Sequence, residues 1–281
     1  MPRLTVLIPC KNEQQQIRGC IESVRGLADE ILVADSGSTD ATLSIVRQLG
    51  GCRVIEREFI SYSSFKNWAI PQASNDWVLG LDADERVTPE LAAEIRRLLA
   101  TPPVHDCYQV QFRPFLCGRP IHYSGFATPF VKRLFRRDLC RFAECRVHES
   151  LEVPSGRVGS LKNRIDHYTA SDVEMFVSKQ NRYSSAAARD WYERGYRTNF
   201  LKLLFKGPLR FLQHYLLKGG ILDGGAGLIV CAVMAYYSFL KEAKVWSLTH
   251  ALPPAPGQES NEAHDQESPA ASHVLPIRRA V

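Results

Sequence analysis

The chain has 281 residues, of which 45% are hydrophobic and 23% are charged, and its formal net charge is +5. These values are ordinary for one large globular domain, or for a domain with an appendage. A net charge this small has consequences only where the positive side chains cluster.

Eight cysteines are spread along the chain without a C-x-x-C pair. No histidine pattern accompanies them, so their spacing disfavours a zinc site. The N-terminus shows no secretory signal, because Arg3 is followed at once by a short strand pattern. We therefore expect a reduced, cytoplasmic setting.

The first hundred residues alternate between strand and helix patterns. Strands are predicted over residues 4–8, 30–34, 53–56 and 77–81, and helices over 14–26, 41–49, 62–73 and from Pro89 on. The last of these helices has Thr88 as its predicted cap. Such alternation predicts an α/β fold, a mostly parallel sheet with helices on both faces.

The rest of the chain changes character twice. Alternating residues over 108–112, 130–135 and 145–151 predict strands of an antiparallel or mixed extension. A polar, amphipathic helix is predicted from Asp172 to about Arg194. We expect two domains. The first contains residues 1–170, with halves at 1–100 and 101–170, and the second is a helical region over residues 171–250. The last part, residues 251–281, lacks periodicity and is predicted to be a disordered tail.

Three polar clusters follow predicted strands, at Pro9–Glu13, Asp35–Asp40 and Asp82–Glu85. The carboxyl ends of parallel strands meet at one edge of a sheet, and ligands bind beyond that edge. We therefore expect the three loops to converge on one ligand site. A solvated-turn interpretation of each loop does not require this convergence.

Asp82–Ala83–Asp84 forms a D-x-D directly after the fourth predicted strand. Two carboxylates one residue apart in a turn can bind a hard cation such as Mg²⁺ or Mn²⁺, which would bridge to a diphosphate. The alternative is an acidic turn that points into water. Asp35 is predicted to accept the imide N–H of uracil, and its alternative is a helix-capping turn.

The chain resembles the nucleotide-sugar-binding half of inverting glycosyltransferases with the GT-A fold, of the large family 2 type. The resemblance rests on "LTVLIPCKNEQQQIRGCIESV", "ILVADSGSTDAT" and "DWVLGLDADERV". Further on, "VHESLEV", "HYTASDVEMFVSKQNRYSSAAA" and "LKGGILDGGAGLIVCAVMAYYSFLK" resemble the branch that adds glucose or a related sugar to the lipopolysaccharide inner core. The resemblance implies a UDP-sugar donor (UDP-glucose first), a divalent cation and transfer with inversion.

The resemblance also implies roles for individual residues. The nucleotide-sugar would contact six residues, namely Pro9, Glu13, Asp35, Lys66, Asp82 and Ala83. Asp84 would ligate the metal. Lys66 has an equally simple alternative as a solvated helix lysine, and Glu85 would either shape the metal loop or cap the next turn.

Inverting transfer in one displacement requires one general base for the acceptor hydroxyl. The Glu-Asp pair that many relatives carry is not found here. The "VHE" resemblance favours Glu149 as this base, with Glu144 as the alternative. His148 beside it is assigned to the metal, or else to a structural hydrogen bond. His167 is a further residue that could position phosphate or acceptor.

From Arg194 to Leu222 the chain has no acid but has six cations among leucines and aromatic residues. Nucleic acid is one partner for such a mixture, but its apolar content favours a helix in the interface of an anionic membrane. The uncharged run Gly224–Leu240 has seventeen residues, short of the roughly 20 needed to span. We therefore expect peripheral attachment to the cytoplasmic face of the inner membrane, a lipid-linked glycan acceptor and no nucleic acid.

Three other functions stay open at this point. A transferase onto polyprenyl phosphate would share the fold and donor but would need no base. A nucleotidyltransferase also uses a parallel sheet and metal-bound carboxylates, but it releases pyrophosphate. A non-catalytic, membrane-bound adaptor is disfavoured by Asp35, Asp82 and Asp84.

Overall fold

A computed structural model describes residues 2–125, 130–143 and 150–250. The described chain divides into two compact units. The first, here called the sheet unit, contains residues 2–113, 130–143 and 150–167. The second, the helical unit, contains residues 114–125 and 168–250.

The strands and helices are numbered in chain order. The strands are β1 (Leu4–Cys10), β2 (Glu30–Asp35), β3 (Cys52–Glu56), β4 (Trp77–Gly80), β5 (Glu85–Val87), β6 (Cys107–Leu116), β7 (Arg119–Pro120), β8 (Val131–Arg136), β9 (Arg141–Phe142), β10 (Leu151–Glu152) and β11 (Val158–Ala170). The helices are α1 (Ile17–Val24), α2 (Thr42–Leu49), α3 (Tyr62–Ala69), α4 (Pro89–Leu99), α5 (Val173–Glu193), α6 (Phe200–Leu212) and α7 (Gly224–His250).

The large sheet has the order β3-β2-β1-β4-β8-β6-β11-β5. The β3–β2, β2–β1 and β1–β4 pairs are parallel, whereas the β4–β8, β8–β6 and β11–β5 pairs are antiparallel. The predicted α/β fold, with a parallel half and an antiparallel extension, is confirmed. In the parallel half Cys10 lies opposite Asp35, so the loops after β1 and β2 leave the same edge.

Hydrophobic burial explains why these segments form the sheet. Every residue of β1 except Pro9 is buried, and β2 is buried from Ile31 to Asp35. Helix α1 covers one face with a stripe at helical spacing, in which Ile17, Ile21 and Val24 are fully buried. The parallel half thus forms a rigid platform that fixes the positions of its loops.

Several boundaries differ from the predictions. Helix α3 ends at Ala69 and continues as a 3₁₀ turn, Ile70–Gln72, because Pro71 has no N–H for a further helical hydrogen bond. Strands β5 and β11 were not predicted. Of the strand predicted over 145–151, Leu151 lies in β10 and residues 144–149 lie outside the described residues. The predicted disordered tail, 251–281, also lies outside them.

In the helical unit, α7 packs against both α5 and α6. Helix α5 begins as predicted, with the Asp172 side chain accepting a hydrogen bond from Met175 N at 2.7 Å. Helix α6 buries only Gly207. A π-helical turn, Gln213–Leu217, and a 3₁₀ turn, Gly220–Asp223, then lead into α7.

Residues 220–250 are the one stretch, within the described part of the chain, that could cross a membrane by length and composition. The length argument against a membrane span was wrong, because the helical stretch is longer than the uncharged run 224–240. The helix does not end at Leu240, because Lys241 and Glu242 are buried inside the unit rather than exposed at a helix end. About half of the most apolar window, 44%, is buried against the unit's own residues.

Candidate functional site

The loop after β4 carries three buried acids. Asp82, Asp84 and Glu85 are 3%, 7% and 0% exposed. The loop is a tight turn in which Glu85 N donates to Asp82 O at 2.9 Å, and Asp82 N donates to Glu85 Oε2 at 3.0 Å. The acids therefore do not point into water, and the solvated-turn alternative is wrong. Buried carboxylates require positive charge nearby.

Two cations lie against this loop. Arg133, on β8, donates from Nη2 to Asp82 Oδ2 at 2.7 Å and also to Glu85 Oε1. Its guanidinium lies 5.3 Å from the centre of the Phe112 ring and is 3% exposed as a residue. Lys66, on α3, has its Nζ 3.8 Å from Asp82 Oδ1. Lys66 is buried, so its alternative as a solvated helix lysine is wrong.

The electrostatics of the loop follow from burial. Burial raises the pKa of Glu85 to about 7, against the opposing influence of Arg133, while Asp82 and Asp84 add to the rise. Burial alone acts to lower the pKa of Arg133, but Asp82 and Glu85 outweigh it and raise that pKa. Arg133 therefore stays a cation, whereas burial makes Glu85 easier to protonate than an exposed glutamate.

His167 approaches the loop from β11. Its Nε2 lies 3.2 Å from Asp84 Oδ2, and its ring centre lies 5.3 Å from that of Phe112. The β11–β5 pairing produces this contact, because it places His167 opposite Glu85. The site thus receives side chains from α3, β8 and β11 around the D-x-D loop.

The donor atoms at Asp84 and His167 fit a divalent cation. Carboxylate oxygen and imidazole nitrogen are donors that Mn²⁺ accepts, and Mg²⁺ binds through one or two carboxylates with phosphate and water. No group of three or more His, Cys, Asp or Glu side chains among the described residues could hold a metal ion unaided. The remaining ligands would have to come from the substrate and water.

Asp35 lies at the end of β2 and is 1% exposed. Its Oδ2 accepts from Gly37 N at 2.9 Å and Ser38 N at 2.8 Å, and its Oδ1 accepts from Ser38 Oγ at 2.5 Å. Its carboxylate therefore organises its own loop. Its predicted contact with uracil stays a prediction.

The other predicted donor residues are placed as follows. Pro9, Lys66 and Asp82 line one small cavity together with Arg133. Glu13 is half-buried, and its backbone N donates to Thr42 Oγ1 at 2.8 Å, which ties the first loop to the second. Ala83 is buried within the D-x-D turn. Glu144, His148 and Glu149 lie outside the described residues.

Arg133 is the functional residue that the sequence analysis missed. The available signal was its place inside the predicted strand 130–135, next to Leu134 and Phe135, but a register shift in β8 means that simple alternation does not assign its face. A buried charged residue in such a strand requires a buried counter-charge. The acidic D-x-D loop after the neighbouring strand β4 supplies that counter-charge.

Comparison with known proteins adds independent findings. The family model "Glycosyl transferase family 2" matches residues 5–147. A protein named lipopolysaccharide core biosynthesis glycosyltransferase LpsC, from Rhizobium meliloti (strain 1021), is 32% identical over 267 residues. That alignment covers 93% of this chain and 98% of LpsC.

Two solved structures show weaker likeness. Glucosyl-3-phosphoglycerate synthase from Mycobacterium tuberculosis, in complex with Mn²⁺, UDP and phosphoglyceric acid, is 26% identical with a TM-score of 0.36. It covers 40% of this chain, which spans 44% of the synthase. S. aureus TarS is 16% identical with a TM-score of 0.45, covering 87% of this chain and 89% of that one. The family match, by contrast, includes Asp35, Lys66, Asp82, Asp84 and Arg133.

Proposed function

The chain belongs to glycosyl transferase family 2, and from this premise we propose that it transfers a sugar from a UDP-sugar to a hydroxyl group of a lipid-linked glycan. The observation that supports this proposal is the buried Asp82–Glu85 loop at the carboxyl end of β4, where Lys66, Arg133 and His167 converge. The similarity to LpsC favours the lipopolysaccharide core as the acceptor.

The donor would lie across the loops after β1, β2 and β4. Asp35 accepts the imide N–H of uracil, and Pro9 and Glu13 border the nucleoside. The diphosphate lies at Asp82 and Ala83, where Lys66 contributes a positive charge. This placement follows the general rule that ligands of parallel sheets bind beyond the carboxyl ends of the strands.

Asp84 and His167 would hold a divalent cation, Mg²⁺ or Mn²⁺, because they present adjacent oxygen and imidazole donors. His167 is a proposed ligand beside His148, whose assignment to the metal stays a prediction because it lies outside the described residues. When bound, the cation supplies positive charge that stabilises the departing diphosphate. Arg133 keeps Asp82 and Glu85 in place beside it.

The reaction would be a single displacement with inversion. Glu149 deprotonates the acceptor hydroxyl as it attacks the anomeric carbon, and UDP leaves from the opposite face of the sugar. Glu144 is the alternative base. A phosphate acceptor would need no base, which distinguishes a polyprenyl-phosphate transferase from the function proposed here.

The enzyme would work at the cytoplasmic face of the inner membrane, attached through the helical unit. Helix α6 and the two turns after it expose large apolar side chains, among them Phe200 at 73%, Leu201 at 62% and Leu217 at 84%. Apolar side chains beside Lys and Arg favour an anionic membrane interface. Attachment to the membrane would raise the local concentration of a lipid-linked acceptor.

A UDP-release assay over a panel of UDP-sugars tests the proposal. Lipopolysaccharide core fragments serve as acceptors, with Mg²⁺, Mn²⁺ or EDTA. We expect UDP release that requires both the acceptor and a cation. Release of pyrophosphate in a parallel assay with UTP and a sugar 1-phosphate would instead identify a nucleotidyltransferase, and failure to bind any UDP-sugar or UDP with Mn²⁺ would leave only a non-catalytic role.

A further inference from the structure

Three basic side chains recur at four-residue steps: Arg210 in α6, His214 in the π-helical turn and Lys218 directly after that turn. This spacing places them along one side of a helical segment. Gly125 has φ +67°, and a Cβ built on it would lie 2.9 Å from Lys218 Nζ and 3.1 Å from His214 Cε1. The lysine and the histidine therefore converge on the same point of the 121–125 segment.

The three basic groups affect one another's charge. Burial, followed by Arg210 and Lys218, lowers the pKa of His214 to about 4, although its hydrogen bond to Ser124 acts in the opposite direction. Burial and Arg210 also lower the pKa of Lys218. The positive charges are close enough to repel one another.

No carboxylate offsets this repulsion within the part of the chain that the structure describes. Asp223 lies near the 121–125 segment, but its oxygens accept from His122 N, Tyr123 N and Ser124 Oγ at 2.9–3.1 Å. Glu242 is fully buried and pairs with Lys206 and Tyr196. None of the ion pairs between described residues includes Arg210 or Lys218.

Two buried nitrogen atoms of this group also lack a hydrogen-bond partner among the described residues, Arg210 Nε and His214 Nε2. His214 is 3% exposed, and its Nδ1 lies 2.6 Å from the carbonyl oxygen of Ser124. Since a carbonyl only accepts, Nδ1 carries the hydrogen, and Nε2 is the atom that a further proton would occupy. A buried polar atom without a partner is costly, and a bound group or an ordered water would satisfy it.

The surroundings of these side chains indicate the kind of molecule that carries the anion. Next to them in the chain, six large apolar side chains are about half or more exposed: Leu209, Leu212, Leu216, Leu217, Ile221 and Leu222. A small soluble anion would leave these apolar side chains exposed to water. The acyl chains of a lipid would cover them while its headgroup stays at the level of the cations.

We propose that Arg210, His214 and Lys218 form a binding site for the phosphate group of a membrane lipid. The site lies in the helical unit and requires neither the donor site nor the metal. It rests on the proposed function only in that the enzyme works at a membrane. Its failure would leave the glycosyltransferase activity untouched, and failure of the UDP-release assay would leave the lipid site untouched.

The test uses the full chain in a neutral alkyl-glycoside detergent, titrated with dihexanoyl phosphatidic acid or with inorganic phosphate. We expect Arg210→Gln and Lys218→Gln each to weaken lipid binding at least about tenfold, because each removes a charge-assisted hydrogen bond. The matched control Lys202→Gln removes an exposed cation from the same helix and should change binding less than about threefold.

A second measurement follows the His214 imidazole by NMR. Bound phosphate should raise its pKa above the lipid-free value, because an anion beside the ring favours the charged form. An unchanged pKa at saturating lipid would overturn the site. Equal losses of lipid affinity in Lys202→Gln and Arg210→Gln would also overturn the site, because they would indicate non-specific electrostatic attraction of the anionic lipid. Inorganic phosphate that binds as tightly as the lipid would assign the site to free phosphate instead. Thermal unfolding within a few degrees of the parent shows that each variant is folded.

Discussion

Among single residues, Arg133 carries a large share of the charge balance at the D-x-D loop. Arg133→Met would leave Asp82 and Glu85 buried without their shared cation. We expect it to lower the free energy of unfolding by about 3–5 kcal/mol, the usual cost of breaking a buried ion pair from one side. Urea denaturation measures this loss.

The control for that experiment is Arg136→Met, an exposed arginine at the end of the same strand, which should cost no more than about 0.5 kcal/mol. Adding Asp82→Asn to Arg133→Met should recover part of the stability, because the carboxylate of Asp82 is then replaced by a neutral amide, whereas burial already favours the protonated form of Glu85. Equal costs for Arg133→Met and Arg136→Met would show that the buried ion pair contributes nothing.

Asp84 and His167 are the residues on which metal dependence should rest. Asp84→Asn should abolish cation-dependent UDP binding, and His167→Asn should weaken cation affinity by one to two orders of magnitude. Calorimetric titration with UDP, with Mn²⁺ and with EDTA, measures both effects. Asp166→Asn, which alters a carboxylate on β11 that pairs with Arg113 instead, should bind normally. Activity that persists in EDTA would refute the role of the metal.

Glu149 is expected to be the base. Glu149→Gln should leave UDP-sugar binding nearly unchanged while turnover falls by about 10²–10⁴, the usual contribution of general base catalysis. Glu144→Gln should stay active. If the two variants exchange these behaviours, Glu144 is the base. If neither loses turnover, the acceptor is already an anion, as in a polyprenyl-phosphate transferase.

The residues that the sequence revealed and those that it hid differ in one physical respect. Asp82 and Asp84 directly follow a strand, so chain order alone places them at the sheet edge. Arg133 and His167 reach the same loop through strand pairing, β8 on β4 and β11 beside β5. Antiparallel register is not encoded by local spacing, and so the partners of the acids could not be predicted from the sequence.

Among the strands and helices, the parallel half was predictable because its buried strands are continuous apolar runs between helices. Strand β5 was not, because it has three residues and begins in an acidic turn. Strand β11 was missed although its alternate residues Leu161, Ile165 and His167 are buried, since Asn163 and His167 place polar residues among the apolar ones on that face. Strand β5 is defined by its pairing with β11, and β11 in turn pairs with β6, so both depend on tertiary contacts.

The π-helical turn that holds His214 should make stability depend on pH. The pKa of His214 is about 4 in the folded chain and 6.5 without its surroundings, so acid protonates the unfolded state first. Stability is therefore complete above about pH 6.5 and falls as the pH drops towards 4. At pH 5 we expect a loss of roughly 2 kcal/mol relative to pH 7.5.

Urea denaturation in lipid-free neutral detergent measures this loss. His214→Gln keeps an N–H for the Ser124 carbonyl but does not titrate, so it should flatten the pH profile. The exposed His122→Gln should keep the parent profile. A parent chain that is equally stable at both pH values would show that the imidazole is not buried as described.

For the whole molecule, the proposed membrane attachment raises the question whether the helical unit lies on the membrane or crosses it. The carboxyl-terminal half of α7 is held by its own unit. Lys244 Nζ donates to Asn181 Oδ1 at 2.6 Å, and Tyr196 donates to the buried Glu242 at 3.0 Å. A transmembrane α7 would have to break these contacts and bring Lys241 and Glu242 into lipid, at a cost of several kcal/mol. Peripheral attachment keeps them intact.

We therefore expect the protein to pellet with membranes at low salt and to be stripped, at least in part, by high salt or carbonate. Leu201→Glu and Leu217→Glu should each shift it towards the soluble fraction, because a carboxylate in the interface loses apolar contact and meets anionic headgroups. Val104→Glu, an equally exposed apolar residue of the sheet unit, should not. Lys206 is unsuitable for this test because it pairs with Glu242 inside the unit. A parent protein that only detergent releases would mean that α7 spans the bilayer after all, and a protein that stays soluble throughout would mean that the exposed leucines bind another partner.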